Sequence, residues 1–362
     1  MKPRLVLSAW PLALLALLAS LPAIDLGLGQ VFPGAISSPG TLQLLALCLV
    51  FGGVALSYDL LFGFTGLLSF GHALYFAIGV YVADIAITQW QWSFAEACLI
   101  AAAAGFATAT VVGWVSLRTT GIAFAMVTLA FAQAGGILVQ KNPHGWTGGD
   151  QGLGYDYTRV PSVFVGVFNT KNLYWLALGY ALVVFLVVRW AVGSSPGHVW
   201  QAIRENELRV EVLGLHTRRY KLLAFVLGSG LATAGGVVYM LLVDGADTNV
   251  TTPDFTLALL VMVVLGGSGT LWGPLLGGVV YTFANQRLVV LGGSNAVASL
   301  PGFLRTPLSQ PLFLLGAIFI LVVVFLPGGL AGIAARGRPS GLRRLEAALR
   351  PASTLVEPQE EA

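Results

Sequence analysis

The chain of 362 residues is 56% hydrophobic and only 10% charged, and its mean hydropathy is +0.82. A composition this apolar cannot cover a water-soluble surface, which excludes soluble enzymes and soluble binding modules and predicts one membrane domain. The formal net charge of +3 does not indicate a nucleic-acid partner, because in a membrane protein the placement of basic residues matters more than their sum.

Apolar runs long enough to cross a hydrocarbon core recur along the sequence. The first, residues 5–24, follows Lys2 and Arg4, and we interpret it as an uncleaved helix rather than a signal peptide because it is long and further apolar runs follow. The other predicted helices are residues 41–57, 70–88, 94–117, 121–140, 172–192, 222–243, 255–265, 272–291 and 311–326. The run at 255–265 is short enough to be a broken or re-entrant helix. The pattern predicts an all-α polytopic membrane protein with about ten transmembrane helices.

The basic residues are unevenly distributed between the two sides of these predicted helices. Alternating the helices from a cytoplasmic N-terminus leaves only five basic residues outside, namely Lys141, Arg159, Lys171, Arg287 and Arg305. The positive-inside rule therefore favours an even number of helices with both termini cytoplasmic. We expect a membrane domain at residues 1–335 and a disordered cytoplasmic tail at residues 336–362.

Two connections are longer than a simple turn. The long loop, residues 141–171, is glycine-rich and is expected to be a docking surface outside the membrane, although it is also compatible with a plain loop. The connecting segment, residues 194–221, begins with a Ser195-Pro196 helix start and has a stop at Gly214. Its pattern predicts one or two short amphipathic helices with an apolar face formed by Val199, Ala202, Ile203, Val210 and Leu213. A solvated loop with charge pairs such as Glu205 with Arg209 is the alternative.

Two glycine-rich clusters interrupt the apolar runs. We call residues 61–72 the first glycine cluster and residues 265–274 the second glycine cluster, and their similar order of glycine, hydroxyl and aromatic residues is the basis for expecting an internal duplication. Such residues either allow close helix packing or line a polar path at a broken helix. The predicted path candidates are Gly63, Thr65, Gly66, Ser69, Gly71, His72, Thr128, Gly267, Ser268 and Gly269. For His72 itself, a hydrogen-bonding role is favoured over a proton relay.

Several separated motifs resemble one family. The segment 201–207 with Gly214 and 219–225, both glycine clusters, 118–125, 128–131 and 325–330 are similar to branched-chain amino acid ABC transporter permeases, in particular the M-type subunit. The resemblance implies an ABC-importer permease fold in a bacterial-type inner (plasma) membrane. It also implies as partners a homologous second permease, two cytoplasmic ATPases that use ATP and Mg²⁺, and an external solute-binding protein. The implied ATPase-coupling residues are Ile203, Arg204, Glu205, Asn206, Glu207 and Gly214, whereas Arg209 and Val210 replace the alanines frequent in such segments.

The sequence gives little support for other classes of function. The chain lacks a G-x-x-x-x-G-K-[ST] loop, so it is expected to be a transporter subunit without its own ATPase site and without a bound cofactor. A secondary carrier is disfavoured because most acidic residues lie near predicted helix ends or in loops. A membrane enzyme is disfavoured because the four histidines are scattered, and we expect neither a metal site nor a disulfide between Cys48 and Cys98. Within the family, a urea or amide permease is the nearest alternative and a sugar permease a more distant one, but the sequence at 148–153 favours the amino-acid group.

Overall fold

The fold is all-α over the residues that the structure describes. The computed structural model describes residues 18–23, 35, 37–166, 169–292, 310–325 and 328–336. Within these ranges no residue belongs to a strand, and an isolated antiparallel bridge joins Leu153 to Ala246. The predicted helix at residues 5–24, apart from 18–23, and the predicted tail beyond Arg336 lie outside the described residues.

The helices follow the predicted apolar runs closely. In chain order they are α1 Pro39–Asp59, α2 His72–Thr88, α3 Phe94–Ser116, α4 Gly121–Lys141, α5 Thr170–Val192, α6 Ser195–Glu205, α7 Glu207–Val212, α8 Thr217–Val243, α9 Pro253–Gly266, α10 Gly273–Gly292, α11 Pro311–Phe325 and α12 Gly329–Arg336. A π-helical turn, Leu60–Phe64, directly continues α1.

Five helices among the described residues are long and apolar enough to cross a membrane. They are Pro39–Phe64, which joins α1 to its π-helical turn, and α3, α4, α5 and α8. Helices α2 and α9 are equally apolar but shorter. At ~1.5 Å per residue, the 14 residues of α9 extend over ~21 Å, less than a hydrocarbon core of ~30 Å, as the short run at 255–265 predicted.

Helix ends follow from local chemistry. Helix α3 begins at Phe94 because Ser93 and Glu96 form a capping box, in which the Ser93 backbone N–H donates to the Glu96 carboxylate over 2.9 Å. Helix α9 begins with Pro253, where a missing N–H is harmless, and is followed by Gly267 at φ +108°.

Helix α1 lies at the centre of the bundle and contacts α5, α8, α9 and α10. Glycines allow these backbones to approach closely. A Cβ atom on Gly52 would lie 2.8 Å from the Leu275 carbonyl oxygen of α10, and one on Gly278 would lie 2.6 Å from the Gly52 Cα. Small residues at such crossings are typical of helix packing in lipid. Helices α3 and α4 lie at the periphery, where most of their surface is exposed.

Candidate functional site

The connecting segment folds as the two short helices α6 and α7. Helix α6 is capped by Ser194, one residue before the predicted start, and its hydroxyl accepts from the Gly197 N–H over 3.4 Å. Asn206 separates the helices and caps α7 by accepting from the Arg209 N–H over 3.0 Å. Gly214, at φ +83°, follows the end of α7 as predicted. The segment is therefore a rigid, internally capped element.

One face of this element packs on the membrane domain. Trp200, Ile203 and Val210 are buried, and the Trp200 indole N–H donates to the Tyr220 carbonyl over 2.8 Å. The predicted apolar face was wrong at Ala202 and Leu213, which are both exposed. The break at Asn206 is the reason at Leu213, because a single helical periodicity cannot be continued from α6 into α7, whereas Ala202 lies within α6 beside its buried face.

Charged contacts fix α7 against the start of α8. The Lys221 ammonium lies 2.5 Å from the Glu207 carboxylate, and the Thr217 hydroxyl donates to Glu211 over 2.8 Å. Within the described residues, no ion pair joins Glu205 to Arg209, so the pairing considered for a solvated loop does not form.

Arg204 connects the connecting segment to both glycine clusters. Its guanidinium donates to the Gly63 carbonyl in the π-helical turn. A Cβ atom on Gly269 would lie only 2.6 Å from the same guanidinium, so the second cluster also contacts Arg204. We call these residues, together with Asp59, the Arg204 junction.

Asp59 holds the two clusters together within the Arg204 junction. This fully buried carboxylate accepts from the Gly269 N–H over 3.0 and 3.1 Å, and the Arg204 charge attracts it. Gly63 lies between them, since a Cβ atom there would overlap the Asp59 carboxylate and the Gly269 nitrogen. Residues 210 positions apart thus share one buried hydrogen-bonded contact.

The remaining polar residues of the first cluster are enclosed by the chain. The Thr65 hydroxyl donates to the Leu60 carbonyl over 2.8 Å, and the Ser69 hydroxyl accepts from the Gly71 N–H over 3.2 Å. Thr128 of α4 accepts from the Phe70 N–H over 3.1 Å. These bonds satisfy backbone groups that the break after α1 leaves free. Gly66, at φ +77°, is the exposed member of the group.

His72 begins α2 and is fully buried. Its Nε2 lies 3.0 Å from the Ser57 hydroxyl, and its ring packs edge-on against Tyr58 and Tyr75 at centroid distances of 5.2 and 6.5 Å. This contact agrees with the predicted hydrogen-bonding role.

The second cluster forms the turn between α9 and α10. Gly267 and Gly269 have φ values of +108° and +75°, which favour glycine. The Thr270 hydroxyl closes the turn, donating to the Gly267 carbonyl over 2.8 Å and accepting from the Gly273 N–H over 3.1 Å. Ser268 is half-buried beside them.

The sequence of this chain is similar to those of known transport proteins. A family model for the permease component of branched-chain amino acid transport systems matches residues 40–326. The chain belongs to this family of permeases. The permease is 27% identical over 324 residues to the high-affinity branched-chain amino acid transport system permease protein LivM of Escherichia coli (strain K12), covering 81% of this chain and 70% of the relative.

Other relatives of the permease are more distant or shorter in overlap. It is 29% identical over 157 residues to the probable LivM protein of Methanocaldococcus jannaschii, covering 43% of this chain and 45% of the relative. It is 25% identical over 305 residues to LivH of Escherichia coli (strain K12), covering 77% of this chain and 90% of the relative. No solved structure matches the permease.

The long loop of the permease is anchored to the end of α8. The Leu153 and Ala246 backbones exchange hydrogen bonds of 3.1 and 2.7 Å. The Tyr155 hydroxyl donates to the Asp244 carboxylate over 3.2 Å, and burial raises the pKa of this tyrosine. These bonds anchor residues 153–155 of the loop next to the end of α8.

Asp59 is a residue of the Arg204 junction that the sequence analysis does not single out, although its position close to the start of the first glycine cluster is a usable signal.

Proposed function

We propose that this chain is the transmembrane permease subunit of an ATP-binding-cassette importer and forms the path for branched-chain amino acids that an external binding protein delivers. The observation that carries the proposal is the contact of Arg204, on a rigid segment between two spans, with both glycine clusters. A partner ATPase that binds this segment can move both glycine clusters at once. Membership of the permease family and the names of the relatives support the substrate class.

In this proposal the permease has about ten transmembrane helices, with both termini and the connecting segment in the cytoplasm. It pairs with a second, homologous permease, because one organism has both a LivM and a LivH relative. Two partner ATPase subunits use ATP and Mg²⁺, and the long loop meets the binding protein outside.

The exposed surface of α7 supports ATPase docking. Leu208, Val212 and Leu213 are 73%, 87% and 78% exposed, next to the charged side chains of Glu205 and Arg209. Apolar side chains grouped within a polar rim are typical of protein interfaces. Ile203 and Glu207 face the other way and transmit the movement to the membrane domain.

The two glycine clusters form the inner end of the path in this proposal. Gly66 and Ser268 are the members that reach the surface of the chain, whereas Thr65, Ser69 and His72 shape the wall from within. Movement of Arg204 displaces Gly63 and Gly269 together and opens or closes this end.

Reconstitution tests the proposal. Proteoliposomes that contain the permease with its partner permease and ATPases should accumulate leucine only when ATP and the binding protein are present. Arg204→Ala should still copurify with the ATPases but lose most uptake, whereas Gln201→Ala, an exposed neighbour on α6, should behave as the wild type. Uptake driven by an ion gradient without ATP would overturn the proposal in favour of a secondary carrier.

A further inference from the structure

Helix α4 has two contrasting faces. Phe124, Thr128, Ala132 and Gly136 pack inward and are buried. The exposed positions, three or four residues apart, are Ile122, Met126, Ala130, Gln133 and Ile137. Over the described part of the chain, this second face has no covering element.

Gln133 is the polar residue in the middle of the exposed face. At ~1.5 Å per residue, it lies ~18 Å from Gly121 and ~12 Å from Lys141, within the thickness of a hydrocarbon core. Its carboxamide has no hydrogen-bond partner among the described residues. Both its donor and its acceptor are therefore available to groups outside the chain.

Two other exposed polar side chains on the spans, those of Gln43 and Thr110, differ from Gln133 because they bond within the chain. The Gln43 amide donates to the Leu242 carbonyl over 2.8 Å, and the Thr110 hydroxyl donates to the Phe106 carbonyl over 2.7 Å. A primary amide that faces hydrocarbon without a partner is disfavoured, because it loses the hydrogen bonds that water would supply. Gln133 thus indicates polar surroundings on this side of α4.

Helix α4 also runs between the two places that a solute must pass. In its inner half, a Cβ atom on Gly71 of the first cluster would lie 3.1 Å from the Thr128 carbonyl oxygen. At its outer end, the chain turns at Asn142, φ +48°, into the long loop. The exposed face of α4 therefore extends from the first cluster to the loop outside.

We propose that the Gln133 face of α4 lines the translocation path and that the Gln133 carboxamide contacts the polar end of the passing amino acid. The inference rests on the proposed function and adds a specificity-determining residue to it. A carboxamide offers donors to a carboxylate and an acceptor to an ammonium group, so it fits both charges of a zwitterion. Met126 and Ile137 offer apolar contact to the hydrocarbon side chain of the solute.

Thiol accessibility tests the location of this face. In a background with Cys48→Ala and Cys98→Ala, Gln133→Cys in the assembled transporter should react with a charged, membrane-impermeant methanethiosulfonate at least about tenfold faster than Val183→Cys. Val183 is the matched control because it is a 55% exposed apolar residue on α5. The difference is expected because the reactive thiolate forms in water and not in lipid. Equal, slow reaction in a transport-active complex would overturn the proposal and assign the face to lipid or to a dry subunit contact.

Uptake tests the role of the amide. Gln133→Leu should lower ATP-driven leucine uptake about tenfold, because a hydrogen bond to a charged solute is lost, whereas Gln133→Asn should keep more activity and Val183→Leu should be unchanged. Copurification of the ATPases with each variant shows that assembly is intact. Wild-type uptake by assembled Gln133→Leu overturns this inference alone, whereas absence of leucine uptake by the wild-type complex overturns the proposed function.

Discussion

Gly63→Ala tests the geometry of the Arg204 junction most directly. The added methyl group would overlap the Asp59 carboxylate and the Gly269 nitrogen, so one of them must move. Overpacking of this kind costs about 1–3 kcal/mol, and loss of a hydrogen bond to a charged group costs about 1.5–3 kcal/mol. We therefore expect the membrane domain to lose about 2.5–6 kcal/mol of stability, which corresponds to a fall in melting temperature of about 5–24 °C.

Substitutions at two other glycines distinguish the cost of steric overlap from the cost of backbone strain. A Cβ atom on Gly40, in α1, meets nothing within 4 Å, so Gly40→Ala should leave the melting temperature unchanged or slightly raised. Gly121, at φ +59°, also has open space around its Cβ position, so Gly121→Ala isolates a backbone penalty of about 1–2 kcal/mol.

The assay combines thermal unfolding of the detergent-purified assembly with leucine uptake after reconstitution. Uptake by Gly63→Ala should fall at least about tenfold, because 1.4 kcal/mol already changes an equilibrium tenfold. If Gly63→Ala melts and transports like Gly40→Ala, then Asp59, Gly63 and Gly269 do not meet as the structure shows, and the reasoning is refuted.

Three further predictions concern the connecting segment and the long loop. Glu207→Gln leaves the 9% exposed Lys221 without its partner, so melting of the assembly should show a loss of about 1–3 kcal/mol, and the exchanged pair Glu207→Lys with Lys221→Glu should recover most of it. Arg204→Lys keeps the charge but loses the planar fork that reaches Gly63, so ATPase copurification should persist while leucine uptake falls. Tyr155→Phe removes a hydrogen bond of 3.2 Å and should destabilise the long loop by about 0.5–1.5 kcal/mol, measured as faster amide exchange there.

Each of these three predictions would be contradicted by a specific result. An exchanged pair that is no more stable than either single variant would show that the ion pair is not the stabilising contact. Loss of ATPase binding in Arg204→Lys would place this side chain at the ATPase interface instead of the junction. An unchanged rate of amide exchange in Tyr155→Phe would mean that the backbone hydrogen bonds of the long loop stabilise it without the Tyr155 hydroxyl.

The helices could be predicted from the sequence because their signals are local. The apolar run at 94–117 predicts a helix there, and the structure has Phe94–Ser116. The short run at 255–265 likewise predicts a short helix, and the structure has Pro253–Gly266.

The Arg204 junction could not be predicted because its contacts are distant in sequence. Arg204 and Gly63 are 141 residues apart, and hydropathy does not indicate which side chains meet across the bundle. The same limit applies to Leu213, whose exposure depends on the break at Asn206, and to Gln133, whose exposure depends on which helices cover α4.

The Arg204 junction also defines which parts of the chain can be exchanged with a relative. A chimera that receives only residues 194–221 from another permease would place a foreign side chain against Gly63 and Gly269, which stay behind in the host. The transferable unit is therefore discontinuous, and it comprises α6 and α7 with the turns after α1 and α9. Designs that replace these pieces together should keep the connecting segment in contact with both glycine clusters, whereas replacement of any one alone should disrupt that contact.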